Sequence, residues 1–165
     1  MRRIAIIGQG PGAEFVPDDL EKWGFPWTKD YSLDLYFEIH ARDTPAWDYY
    51  GKDPAEFFGD FPSVVYLLDE LEGAENTREY PLGEAMKLSG DYLECSVSYA
   101  LALAIMESVA EINLFGISGN DKYATQRPNI EYLIGFARGR GIVVNVEDDS
   151  LLLKSEFPSG RYGID

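Results

Sequence analysis

Short apolar runs, each closed by glycine or a polar turn, alternate along this chain with stretches whose apolar residues recur every three to four positions. Arg3 to Ile7 is apolar and stops at Gly8, which predicts a first strand. Glu21 to Phe25 predicts a second. Leu33 to Ile39 alternates acidic and apolar residues at period two, so it predicts a third strand with one polar face. The aromatic stretch Trp47 to Phe61, broken by Pro54, predicts one or two short surface helices. Ser63 to Leu68 predicts another strand, followed by an acidic loop over Asp69 to Glu79 and a short helix near Leu82 to Leu88.

The clearest helix runs from Cys95 to Val109. It is apolar on nearly every face and carries Ala100, Ala102 and Ala104, which predicts a helix pressed closely against a sheet. Glu111 to Gly116 predicts a strand, Ile130 to Arg140 a helix stopped by Gly141, and Ile142 to Val146 a last strand. Strand–helix–strand units with short loops predict an α/β, Rossmann-like three-layer fold around a mostly parallel central sheet. One domain over residues 1–154 accommodates all of these elements, and the Pro- and Gly-containing tail 155–165 is expected to be poorly ordered or engaged by a partner.

Charge narrows the classes of partner. The 165 residues carry a formal net charge of −15, which repels duplex phosphate and disfavours direct nucleic-acid binding. A nucleotide site must therefore rest on main-chain N–H groups, helix N-termini and a few placed cations. No apolar run reaches the ~18 residues that cross a bilayer, and the short basic-then-apolar N-terminus reads as a strand and not as a leader. One cysteine, Cys95, forms no internal disulfide, which suits a reducing cytoplasm. With one cysteine and one histidine, thiolate and His-rich zinc sites are excluded, and no metal ligand is assigned; a carboxylate-held Mg or Mn ion stays open as a cofactor. The aromatics Tyr36, Phe37, Trp47, Tyr49, Tyr50, Phe57 and Phe58 belong by default to the core, with a self-association surface and a homo-oligomer as the other reading.

Two glycine turns follow strands. Gly8-Gln9-Gly10-Pro11-Gly12 lacks both the full dinucleotide fingerprint and the Gly-Lys-Ser/Thr of a P-loop. Its glycines still let the backbone approach a phosphate or carboxylate closely; the alternative is a tight turn that binds nothing. Gly116-Ile117-Ser118-Gly119-Asn120 ends a later strand, and in a parallel sheet the two turns share the carboxyl edge. Tyr123, Gln126 and Arg127 come next, before Pro128. Arg127 near a helix N-terminus gains nothing from the dipole, so it either meets an anionic ligand or pairs with Glu131.

His40 ends the third predicted strand, on one face with Asp34, Tyr36 and Glu38. A histidine beside a carboxylate is a candidate general base, so His40 and Glu38 are the candidate catalytic pair; capping of the strand end is the alternative. Ser96 and Ser98 either cap the apolar helix or reach a ligand from its start. Cys95 at the same helix start has a reactive and an inert buried reading.

Three segments together resemble a known layout: the loop Gly8–Gly12, the run Cys95 to Ala104 and the run Glu111 to Ile117. They resemble the Rossmann-like group of bacterial sialyltransferases, motility accessory factors and archaeal hydroxymethylpterin diphosphokinases. Tyr123-Ala124-Thr125-Gln126-Arg127-Pro128 and Glu131-Tyr132-Leu133-Ile134-Gly135 resemble uncharacterised tailed-phage proteins more closely, over most of the chain. The resemblance implies a phage-encoded, cytoplasmic protein that binds a nucleotide or nucleotide-sugar, and a transferase acting on a nucleotide-sugar or phosphorylated nucleoside. Gly12 stands where that group has serine, Ser118 where it often has aspartate, and no histidine follows His40, so sialyl transfer is not implied. The rival expectation is a non-catalytic phage binder that sequesters a nucleotide signal or docks on a host protein.

Overall fold

The computed structural model describes residues 1–28, 32–50, 53–120 and 124–155, without the side chains of residues 49 and 50. Seven strands form one all-parallel sheet: β1 (Arg3–Ile7), β2 (Glu21–Gly24), β3 (Leu35–Glu38), β4 (Val64–Leu67), β5 (Thr77–Glu79), β6 (Glu111–Phe115) and β7 (Val143–Val146). Their order is β5-β4-β3-β2-β1-β6-β7. The chain builds outward from β1 to β5, crosses back through α2 (Leu82–Ser89) and α3 (Ser96–Met106), and lays β6 on the other side of β1. The strand order therefore reverses between β1 and β6, where Arg3 to Ile7 run in register with Glu111 to Phe115. In such sheets ligands gather outside the carboxyl ends of the strands at this reversal.

Both faces of the sheet are covered. On one, α3 and α4 (Arg127–Gly139) bury Ala100 to Ile105, Ile130, Leu133, Ile134 and Ala137 against Ile4, Ile6, Phe37 and Ile112. On the other, α1 (Pro54–Gly59) and the segments around Ala13, Leu20 and Leu33 cover Ala5, Ile7, Tyr36, Val65 and Leu67. This is an α/β Rossmann-like three-layer architecture.

The structure corrects three details. β3 has no polar face: all four of its residues are buried, because helices or loops cover both sides of a central strand. The acidic loop ends in β5, an edge strand whose Thr77 is buried. α4 begins at Arg127, three residues before its first apolar position, with Pro128 in its first turn.

Tyr36, Phe37 and Phe58 are core, and Trp47, Phe57 and Phe61 pack partly buried against it. The side chains of Tyr49 and Tyr50 lie outside the described residues, as does the tail beyond Ser155. No helix among the described residues is long and apolar enough to cross a membrane.

Candidate functional site

Because every strand runs the same way, every strand ends on one edge of the sheet. Gly8–Gly12 follows β1, Trp27 follows β2, His40 follows β3, Gly116–Asn120 follows β6 and Glu147 follows β7. The site is built from these strand ends.

The strongest chemical arrangement is at β3. The Glu38 side chain has 0% exposure, whereas the His40 side chain is 44% exposed. One carboxylate oxygen, Glu38 Oε1, accepts the His40 main-chain N–H at 3.0 Å and lies 2.5 Å from His40 Nδ1. A proton on Nδ1 facing that oxygen leaves the lone pair on Nε2, the outer nitrogen of the ring. The His40 carbonyl in turn accepts the indole N–H of Trp47 at 2.9 Å. The backbone and the ring are thus both fixed, and the sequence expectation of a Glu38–His40 pair on one strand face is met.

Trp27, 43% exposed, stands beside this pair. Its indole stacks on buried Phe25, with centroids 5.3 Å apart and planes at 18°, and its centroid lies 6.5 Å from the His40 ring at 55°. The turn that carries it is rigid: Thr28 Oγ1 accepts the Phe25 N–H at 2.9 Å and donates to the Phe25 carbonyl at 2.7 Å. Sequence reasoning missed Trp27, although its position just after a strand ending in Gly24 was a usable signal.

The glycine turns meet each other. Gly8 N–H donates to Phe115 O and Gly10 N–H to Gly116 O, each at 2.8 Å. These two amides are therefore spent within the protein, and their hydrogen bonds join the end of β1 to the end of β6 across the reversal point. A Cβ on Gly10 would lie 2.8 Å from Gly116 O, which explains why glycine is needed there. Pro11 has no N–H. Among the described residues, nothing accepts from the main-chain N–H of Gln9, Gly12 or Ala13.

Glu147 closes the other side of this loop. Its Oε2 accepts the Gly116 N–H at 2.6 Å, and its carboxylate fills the space that a side chain on Gly12 would require. Burial pushes the Glu147 carboxyl above its ordinary value, the Gly116 N–H opposes this, and the negative charges of Asp149 and Glu14 add to the rise. Sequence reasoning did not select Glu147, though any residue directly after a parallel strand lies on this edge.

The remaining candidates divide. Ser98 is buried at the start of α3, where Oγ accepts the Cys95 N–H at 3.2 Å and donates to Cys95 O at 2.6 Å. This is the capping one of its two readings, while Ser96 is the first residue of α3. Burial pushes the Cys95 thiol up, which fits its inert reading. Ser118 gives its carbonyl to Leu151 N–H at 2.8 Å, and Asn120 is exposed.

Gln126 caps α4. Arg127 adopts the plainer arrangement, donating from Nε to Glu131 at 2.7 Å and from Nη2 to the Lys154 carbonyl at 2.7 Å. It shares the carboxyl edge with His40 but lies beyond β2, β1 and β6, about 14 Å across at the usual strand spacing. Tyr123 lies outside the described residues. Among the described residues, no three His, Cys, Asp or Glu side chains gather closely enough to hold a metal ion.

Comparison with known proteins returned no matching family model, no similar curated protein and no similar solved structure.

Proposed function

We propose that this protein is a group-transfer enzyme in which His40 is the general base for an acceptor hydroxyl and the donor is a nucleotide-sugar or a phosphorylated nucleoside. The observation that carries the reading is the grip of a fully buried carboxylate, Glu38, on Nδ1 of a half-exposed histidine at a strand's carboxyl end. Burying a carboxylate costs several kcal/mol unless it is hydrogen-bonded, and one of the groups that Glu38 meets here is the imidazole of a half-exposed histidine. In the reaction, Nε2 takes the acceptor's hydroxyl proton, and Glu38 faces the positive charge that develops on the ring. The acceptor oxygen bonds to the donor's carbon or phosphorus. The bond from that centre to the leaving phosphate breaks, and the nucleotide departs with the electron pair.

The donor's place is argued from the sheet. The Gly8–Gly12 loop is two strand spacings from His40, about 10 Å, a span that suits a donor beside an acceptor. Gln9 is exposed at the mouth of this loop, and its main-chain N–H is a donor for a phosphate. A reducing cytoplasm, the host's if the chain is phage-encoded, supplies such nucleotides.

The test is calorimetric titration with nucleoside mono-, di- and triphosphates and sugar nucleotides, followed by turnover measurements with the binder found. At least one member should bind saturably, and His40→Gln should keep binding while slowing turnover about 10²- to 10⁴-fold. No binding by any member overturns the proposal.

A further inference from the structure

We infer that the acceptor is a neutral pyranose ring that stacks on Trp27 and directs one hydroxyl at Nε2 of His40; this rests on the reading of His40 as the base. Exposure, rigidity, charge and ring geometry converge on it. An indole that is 43% exposed is held rigidly, with one face backed by Phe25 and its turn locked by Thr28. A rigid exposed aromatic on a carboxyl edge is a preorganised platform, since no side-chain ordering remains to oppose binding. The platform adjoins the base, with the two ring centroids 6.5 Å apart.

Charge selects the class of acceptor. The cation beside this cluster, Arg42, donates to the Asp69 and Glu70 carbonyls and leans over Trp47 at 6.0 Å. Those bonds use Nη2 alone and reach neutral carbonyls, so what weighs against an anionic acceptor is the net charge of −15, which repels it at long range. A neutral ring escapes that repulsion.

Geometry selects the ring. The indole face is the negative pole of its quadrupole. Axial C–H bonds of a pyranose carry slight positive charge and fit that face. The equatorial hydroxyls of the same ring project outward near its plane, so a sugar lying on the indole can bring a hydroxyl to the neighbouring imidazole, whose centroid is 6.5 Å from that of the indole. A flat nucleobase also stacks, but its plane carries no such hydroxyl for His40 to deprotonate.

The test labels the three tryptophans, Trp23, Trp27 and Trp47, with 5-fluorotryptophan and follows the ¹⁹F spectrum during titration with methyl pyranosides. Trp27→Phe assigns the resonance. The Trp27 signal should shift saturably with at least one pyranoside, while that of buried Trp23 stays still. Trp27→Ala should weaken binding about tenfold or more, with circular dichroism showing that the variant is folded at the temperature of the titration.

His40→Gln should leave the Trp27 shift in place. A Trp27 shift with unaltered turnover in His40→Gln would break the catalytic reading and leave the platform standing. If adenosine or uridine moves Trp27 and no pyranoside does, the sugar assignment is overturned and His40 remains the candidate base. If none of these probes moves Trp27, the inference is overturned outright.

Discussion

The carboxylate of Glu147 accepts the Gly116 N–H at 2.6 Å and occupies the space beside Gly12 where an incoming anion would press against the glycine loop. The chain thus supplies its own negative group to the mouth of the β1–β6 crevice, with measurable effects on stability and on anion binding.

Burial pushes the Glu147 carboxyl up, and Asp149 and Glu14 add to the rise against the pull of the Gly116 N–H. A raised carboxyl contributes stability below its ordinary value and loses it as pH rises through the raised one. Glu147→Gln should therefore gain on the native protein between about pH 4 and pH 8. The group is only partly buried, so solvent screening keeps the expected gain under about 1 kcal/mol, or about 1–2 °C in melting temperature. Thermal melts across that range check it, and a difference that does not grow with pH contradicts it. On the donor reading, Glu147→Gln should also bind inorganic pyrophosphate more tightly at pH 8 than the native chain does.

At the opposite edge of the sheet the sign reverses. The Arg2 guanidinium grips Glu21 through two hydrogen bonds of 2.6 Å and holds its carboxyl below the ordinary value, against burial and with the help of Trp23 Nε1–H. A lowered carboxyl contributes stability above its ordinary value and loses it as pH falls through the lowered one. Glu21→Gln should cost about 1 kcal/mol at pH 7, reduced by solvent screening, and little near pH 3. Urea unfolding at the two pH values measures the change.

Glycine is required at some positions and dispensable at others. Gly10→Ala would drive a Cβ against the Gly116 carbonyl and part the β1–β6 loops, at an expected cost of about 2 kcal/mol or more. Gly135 is exposed in the middle of α4, and a Cβ added there would meet nothing within 4 Å, so Gly135→Ala should stabilise by about 1 kcal/mol. Opposite signs in denaturant midpoints are the expected result.

Glu38 acts through His40. Glu38→Gln keeps the size of the side chain but removes the charge that faces Nδ1, so turnover should fall at least about tenfold while donor binding holds. The pH profile of turnover should move with it, which a merely structural role would not produce. Unchanged turnover and profile would remove Glu38 from the mechanism.

Local signals placed most elements of the fold: the apolar run ended by Gly8, the alanine-rich run from Cys95 and the glycine after β6 each depend on neighbours a few positions away. Period two put Glu38 and His40 on one strand face, and a parallel sheet sends all strand ends to one edge, so the dyad and both glycine turns were legible. β5 was not, because three residues at a sheet edge, mostly polar, leave almost no pattern.

The tertiary structure alone decided the rest. That β1 lies between β2 and β6, with Arg3 beside Glu111, is set by packing between segments more than a hundred positions apart, and no local period encodes it. The same long-range packing covers β3 on both faces and buries Glu38, turning an acidic residue into an oriented partner for His40. It also brings Glu147 to Gly116 and closes Gly8 and Gly10 into backbone hydrogen bonds. Glycine content shows only that a backbone can approach something closely. What it approaches is determined by which strand comes to lie alongside.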